Sequence, residues 1–543
     1  MRSQAALRLA GRLLSAGAAA PSGVIAAEKA ALGITADATR ALPVTSLAAT
    51  QATRSISSSF ASQAQALTEV PVEGDVESLL KEIDRVVSAE TASAKDVADA
   101  AVSLAYLQAK GNRRLWGKVF ERAQATKASF DAASLTNFFW AASTAGVGHF
   151  KTLAELAGPA AALLPSLTPT QLSVVVEGLG RAGVNDAELF GKVADVVASK
   201  LGGMSGAEVA RVVYGFGAAG VQDGTLTKAA AKALSERAGE LGVREAAQAV
   251  WGLARLRRAD KPALDALVRA AKGKLAGGDV AGVDVAGLAW GLAFIGYKPD
   301  ADTGRALASA LKGAAAELTP GHAVDAAWAL GVLGAGDKDS VGALLGVAAA
   351  AVDAAPDCLD PYQAAALFEA AALTPEAKVP EQVVAFAGRM HALVEEGGRA
   401  KASGALACFR EDVANAAARA MGARYRPEVA KAVAGFPVTT PAGVHIDIGV
   451  AVDAGTKVAI EAVGAHYLSS AGTPLGPALS RAGLLASQGY KPVLIPFSEW
   501  AGLAGEKAKA AYLLTKVKAA VPSASSKLSD LQRKLDEPFD AYA

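Results

Sequence analysis

Bulky apolar residues recur in this chain at a nearly fixed pitch. The segments Val212-Val213-Tyr214-Gly215-Phe216-Gly217, Ala249-Val250-Trp251-Gly252-Leu253-Ala254, Leu288-Ala289-Trp290-Gly291-Leu292-Ala293 and Ala326-Ala327-Trp328-Ala329-Leu330-Gly331 share one register. Trp140 takes the same place in Asn137-Phe138-Phe139-Trp140-Ala141-Ala142, and Val102, Glu177 and Glu369 take it in weaker copies. The anchors 102, 140, 177, 214, 251, 290, 328 and 369 are separated by 38, 37, 37, 37, 39, 38 and 41 residues. Each anchor sits inside an apolar helical stretch. Before it comes a turn with a helix-starting residue, as at Thr168-Pro169, Ser205, Thr319-Pro320 or Asp360-Pro361. After it come a loop, as at Gly183 or Gly334-Ala335-Gly336, and a second helical stretch such as Lys261–Leu275. Two helices in every ~38 residues predict an α-solenoid of about eight helix-turn-helix repeats, because one pair cannot bury its apolar face alone. The array is assigned to residues 92–435, preceded by a linker or capping helix at 61–91.

The period changes after residue 437. Val444–Val450 alternates like a strand, Lys457–Val463 reads as a second, and Pro492–Pro496 as a short buried third. A helix over Gly476–Gln488 stops at Gly489, and an amphipathic helix runs from Glu506 to Lys518. Strands alternating with helices predict a small α/β domain over residues 440–520, followed by a tail at 521–543.

Composition gives the repeat a physical sense. Hydrophobic letters make up 52% of the chain, yet only 15 Phe, 9 Tyr and 6 Trp are among them, against 55 Gly and about 130 Ala. Small side chains let helices approach closely, and the aromatics amount to about one anchor per repeat. Trp140, Trp251, Trp290 and Trp328 therefore read first as filling between repeats, with stacking on nucleic-acid bases as the alternative use.

The net charge of +1 argues against a basic coat for nucleic acid, so any such binding has to use a local patch. Two cysteines, Cys358 and Cys408, exclude a disulfide framework and a cysteine-rich zinc site, and five histidines leave little for a histidine site. No cofactor is expected. Uncharged stretches such as Leu156–Val176 are broken by prolines, so no membrane span is expected.

Residues 1–60 hold six bases and two acids, with Arg8 and Arg12 one turn apart beside Leu7, Leu9, Leu13 and Leu14. That is the make-up of an organelle transit peptide. Arg54-Ser55-Ile56-Ser57 resembles a mitochondrial processing site, so the expected destination is the mitochondrion, with the chloroplast as alternative. Without this segment the chain keeps 48 bases and 51 acids.

The Trp-(Gly/Ala)-Leu-Ala helix in a repeat of this length resembles the octotricopeptide repeat of organellar RNA-binding proteins. The C-terminal stretch resembles the RAP domain, a module of organellar RNA-processing proteins. Its matching points are Ile460-Glu461 with Gly464-Ala465-His466-Tyr467, then Gly489-Tyr490-Lys491-Pro492-Val493, Ile495-Pro496-Phe497-Ser498-Glu499-Trp500 and Tyr512-Leu513. The resemblance implies a mainly α chain ending in a restriction-endonuclease-like α/β module.

It also implies an RNA-binding protein, not an enzyme, acting in processing, stabilisation or translation of mitochondrial RNA. The implied partners are organellar mRNA or rRNA, together with ribosomal or other RNA-processing proteins. A structural subunit of the organellar ribosome holding rRNA is the alternative. An endonuclease is the third reading. Nucleases of that fold use converging carboxylates on a divalent cation, and Asp447 and Glu461 stand at strand positions for it, but Val463 replaces the lysine such sites use. RNA-contact candidates are His466, Arg481 and Lys491 in the module, Arg255, Arg257 and Arg258 after the Trp251 helix, and Arg113 and Arg114 beside Lys110 and Lys118.

Overall fold

The computed structural model describes residues 73–147, 150–275, 280–400, 404–420, 438–440, 442–451 and 456–522. The transit-peptide segment, the glycine pair 277–278 and nearly all of the tail lie outside them. The described chain is mainly helical, with a small three-stranded sheet near its C-terminus. It forms two compact units that divide between Gly291 and Leu292.

In the first unit α1 (Glu73–Ser88) precedes the repeats. The pairs that follow are α2 (Ala94–Tyr106) with α3 (Arg113–Ala125), and α4 (Ala132–Ala145) with a second helix split into α5 (Phe150–Glu155) and α6 (Ala157–Leu163). The split falls beside Pro159, which has no N–H to continue the helical ladder. Next come α7 (Pro169–Arg181) with α8 (Ala187–Lys200), α9 (Gly206–Ala219) with α10 (Gly224–Arg237), and α11 (Val243–Arg255) with α12 (Lys261–Lys272). Helix α13 (Gly282–Phe294) runs across the division.

All eight sequence anchors fall on the first helix of a pair. The starts are capped as the sequence implies: Ser93, Thr168, Ser205 and Asp360 each form a capping box with the residue three places on.

A second regularity was not read from the sequence. A basic residue at or just past the end of the second helix donates to the carbonyl that precedes the first helix of the same pair. Arg122 reaches the Ala92 carbonyl at 3.0 Å, Lys200 that of Leu167 at 2.6 Å, Arg237 that of Met204 at 2.6 Å, and Lys274 that of Leu241. These staples close four of the first unit's five pairs on themselves with charge-assisted bonds.

The second unit continues with α14 (Ala301–Ala314), α15 (Pro320–Leu333), α16 (Lys338–Ala354), α17 (Pro361–Leu373), α18 (Glu381–Ala400) and α19 (Gly404–Ala420). The α/β module follows, with β1 (Val438–Thr439), β2 (His445–Ile446), β3 (Ile448–Ala451), β4 (Lys457–Val463), α20 (Gly476–Ser487), β5 (Tyr490–Pro496), α21 (Phe497–Trp500) and α22 (Gly505–Ala520). The single strand expected over Val444–Val450 is two strands. Its first part pairs with β1 (Thr439 opposite His445) and its second with β4 (Ile448 opposite Ile460).

Strand β4 is central, antiparallel to β3 and parallel to β5, and α20 makes the crossover between the parallel pair. Both faces of β4 are therefore covered. One face packs Val458 and Ile460 against Val413 and Ala417 of α19 and Leu513 and Val517 of α22. On the other, Ala459 packs with Leu484 and Leu485 of α20, with Phe368 and Ala372 of α17 against them. Helix α19 lies within the span assigned to the repeat array, yet its apolar face belongs to the sheet's core.

Candidate nucleic-acid interface

Within the first unit the anchors lie in a row on successive first helices, and glycine sets how close those helices come. A β-carbon at Gly252, next to Trp251, would lie 2.5 Å from the Val213 carbonyl oxygen. One at Gly215 would meet the Val176 carbonyl oxygen at 2.5 Å, and one at Gly291 the nitrogen of Trp251 at 3.1 Å. The Gly after the aromatic in the repeat motif is thus a point of backbone-to-backbone contact, where any larger residue collides.

This proximity draws the side chains of the row together. The Tyr214 and Trp251 rings are 4.8 Å apart, and the Trp251 and Trp290 rings 6.3 Å. The residue four places after an anchor, one turn along the same face, covers an aromatic of the row. The Tyr106 ring lies tilted against Trp140 with centres 5.4 Å apart, the Arg181 guanidinium lies 4.7 Å from the Tyr214 ring centre, and that of Arg255 lies 5.7 Å from Trp251. Both arginine contacts are within cation–π range.

Polar groups complete the row. Glu177, in the anchor place of α7, receives Arg181 at 2.9 Å and faces Arg211 at 4.0 Å. Gln248 reaches the same carboxylate at 3.3 Å from two repeats on. Arg244 holds Asp284 at 3.3 Å. Burial pushes the Asp284 carboxyl up from its ordinary range, and Arg244 pulls it back in part. Arg181, Arg211, Arg244 and Arg255 therefore stand on one helical face with two carboxylates, Glu177 and Asp284. The row is basic in a chain whose net charge is only +1.

The turn after each anchor helix adds one more arginine. The sixth residue after the anchor has a positive φ in seven repeats. It is glycine at 146, 183, 220, 296 and 334, Gln108 in the first pair, and Arg257, at φ 53°, in the fifth. An arginine occupies a backbone conformation that the other repeats give mostly to glycine, at a cost of about 1 kcal/mol. Such an outlier points to a use for the side chain.

The other candidates from the sequence are spread out. Arg258 lies 3.8 Å from Asp260. Arg113 and Arg114 are exposed on α3, and Arg114 and Lys118 both pair with Asp84 of α1. Lys491 is exposed on β5. The ring of His466 lies 4.2 Å from that of Tyr467.

Arg481 is held among protein groups. Its Nε donates to Glu461 at 2.6 Å, and its other nitrogens bond Glu395 and the His445 carbonyl. Glu461 also accepts the Asp447 N–H at 3.1 Å, Asp447 accepts the Ala462 N–H at 3.0 Å, and Arg410 Nε stands 3.0 Å from Asp447 without its N–H aimed at the oxygen. Burial pushes the Glu461 carboxyl up to about 7 against the pull of Arg481. The two carboxylates weighed for metal chemistry thus each face a guanidinium and lace β3 to β4. Among the described residues, no three His, Cys, Asp or Glu converge as a metal site, and no helix is long and apolar enough to cross a membrane.

No protein-family model matches this chain, and no curated protein matches it. Its functional reading rests on its own residues. Arg181, Arg211, Arg244 and Gln248 were missed in the sequence because each looks like an isolated polar residue on an apolar helix. Their places relative to the anchor, at +4, −3, −7 and −3, are the signal that finds them.

Proposed function

We propose that this chain is an RNA-binding protein of organellar gene expression, acting in processing, stabilisation or translation of a mitochondrial transcript. One observation carries the reading: four arginines stand on the anchor face of consecutive first helices, in a chain with almost no net charge. A row of guanidiniums at repeat spacing, interleaved with aromatic rings, suits the phosphates and bases of a single strand. The resemblance to octotricopeptide-repeat and RAP proteins supplies the organelle and the class of RNA. Since Asp447 and Glu461 are engaged by Arg410 and Arg481, the module enters this reading as a folded support and not as a nuclease.

Ultraviolet crosslinking of the native protein in organelles, followed by sequencing of the bound RNA, tests the reading. Enrichment of one or a few transcripts is the expected outcome, and the absence of crosslinked RNA would sink it. The near-neutral charge also favours a second reading, a structural subunit of the organellar ribosome. Co-sedimentation with ribosomal particles through high salt selects that reading, and a smaller RNA-containing complex selects the first.

A further inference from the structure

In the second unit the anchor row already has an occupant. Helix α20 presents Gly476, Ser480 and Gly483 on one face, spaced at i, i+4 and i+7. A β-carbon at Gly476 would lie 2.8 Å from the Phe294 α-carbon, and one at Gly483 would collide with Leu373. The β-carbon absent from Gly296 would likewise meet the Pro474 carbonyl oxygen at 2.7 Å.

Between the two glycines the Ser480 hydroxyl sits on both anchors. It accepts from Trp328 Nε1 at 3.0 Å and donates to the Glu369 carboxylate, which also accepts from Trp328 Nε1 at 2.9 Å. His391 Nε2 closes the group 3.5 Å from Glu369. Burial alone would raise the Glu369 carboxyl, but the bonds from His391, Ser480 and Trp328 outweigh it and hold it below the usual range.

The charge of the row changes in the same repeats. The places that carry Arg211 and Gln248 beside Tyr214 and Trp251 carry Asp325 beside Trp328 and Ala366 beside Glu369. The place of Arg181 and Arg255 carries Val332 and Leu373, and the place of Arg244 carries Gly321 and Tyr362. Among the described residues no cation offsets Asp325, and partial burial together with nearby Asp360 raises its carboxyl to about 7. Coverage by α20 and loss of the arginines are independent features that coincide.

We infer that α20 is the built-in ligand of the anchor row in the last two repeats, so that RNA engages only the arginine-bearing row of Glu177, Tyr214 and Trp251. This rests on the RNA-binding reading and adds the limits of the bound surface. The α/β module then keeps the Trp328 and Glu369 repeats from RNA by covering them.

Full-length protein carrying a photoreactive benzoylphenylalanine at Gln248 or at Asp325, mixed with a labelled pool of random single-stranded RNA, tests it. Crosslinking from position 248 with only background from 325 is expected. In parallel, Asp325→Asn should leave RNA affinity within about twofold of wild type, since a carboxylate away from the phosphates repels them little through salt. Crosslinking from 325 as strong as from 248, or affinity raised about fivefold or more by Asp325→Asn, overturns the inference while RNA binding stands. Wild-type protein that retains no RNA overturns the RNA-binding reading itself, and the inference with it.

Discussion

Replacing Gly252 with alanine should destabilise the first unit, whereas the same replacement at Gly287 should stabilise it. Both glycines lie inside first helices of the array. The new β-carbon at 252 would lie 2.5 Å from the Val213 carbonyl oxygen, 2.7 Å from its carbon and 2.8 Å from the Tyr214 nitrogen. Comfortable contact needs ~3.5 Å, so α11 has to move off α9 by about 1 Å and forfeit much of the dispersion between them. Forcing one carbon into such a contact costs about 1–3 kcal/mol. Better helix propensity returns at most about 1 kcal/mol, leaving a net loss of about 1–2 kcal/mol. At Gly287 nothing lies within 4 Å of the new carbon, so only the propensity gain of about 0.5–1 kcal/mol remains. Native-state hydrogen exchange of peptides spanning α9 and α11 reads the local opening free energy directly. Gly252→Ala should speed exchange there, and Gly287→Ala should slow it or leave it unchanged. Equal protection in the two variants would refute backbone contact as the reason for the glycine beside the anchor.

Other consequences follow from single interactions. Arg237→Ala removes the bond to the Met204 carbonyl and should cost about 1–2 kcal/mol in urea unfolding of the first unit. Arg481→Met leaves Glu461 and Glu395 facing each other without their cation and should cost about 3–5 kcal/mol, seen as early proteolysis of the α/β module. Asp325, whose carboxyl rises from 3.8 to about 7 in the fold, loses more by ionising folded than unfolded, so it weakens the fold progressively as pH climbs between those values. Water still reaches this half-buried group, so Asp325→Asn should stabilise by only about 2 kcal/mol at pH 8, with the gain fading near pH 4, in thermal unfolding followed across pH.

What the sequence revealed and what it hid divide along physical lines. The repeat pitch was legible because one large residue stands out against alanine and glycine at nearly equal steps. Strands β4 and β5 and helix α20 were legible from periodicity and the Gly489 stop, whereas the break within Val444–Val450 and the pairing of β1 with β2 were not. The glycine after four of the eight anchors, at 178, 215, 252 and 291, was visible as a motif, but its reason lies in a neighbouring helix about one repeat away. The staples were hidden because Arg122, Lys200, Arg237 and Lys274 look like ordinary solvated ends of helices. Helix α19 is rich in alanine and reads the same whether it stacks on repeats or on a sheet. Arg481 was legible as a cation but not as a buried brace, since its partner Glu395 lies 86 residues earlier. Arg257 was legible as one of three clustered arginines, and aligning the five turn glycines sets it apart from Arg255 and Arg258, because arginine stands in their column.

That column also supplies the most direct test of RNA binding on the arginine row. Arg257→Gly relieves a positive-φ arginine, and thermal unfolding of the variant, measured alongside, separates weaker binding from loss of fold. The measurement is the dissociation constant for single-stranded RNA across a salt series, in wild type and Arg257→Gly. Wild type should bind and weaken steeply with salt. The variant should bind about three- to tenfold more weakly, with a logarithmic slope shallower by about 0.7, the share of a single phosphate on a single strand. No binding by wild type would contradict the assignment of the arginine row to RNA, and a variant with unchanged affinity and slope would remove the Arg257 turn from the bound surface.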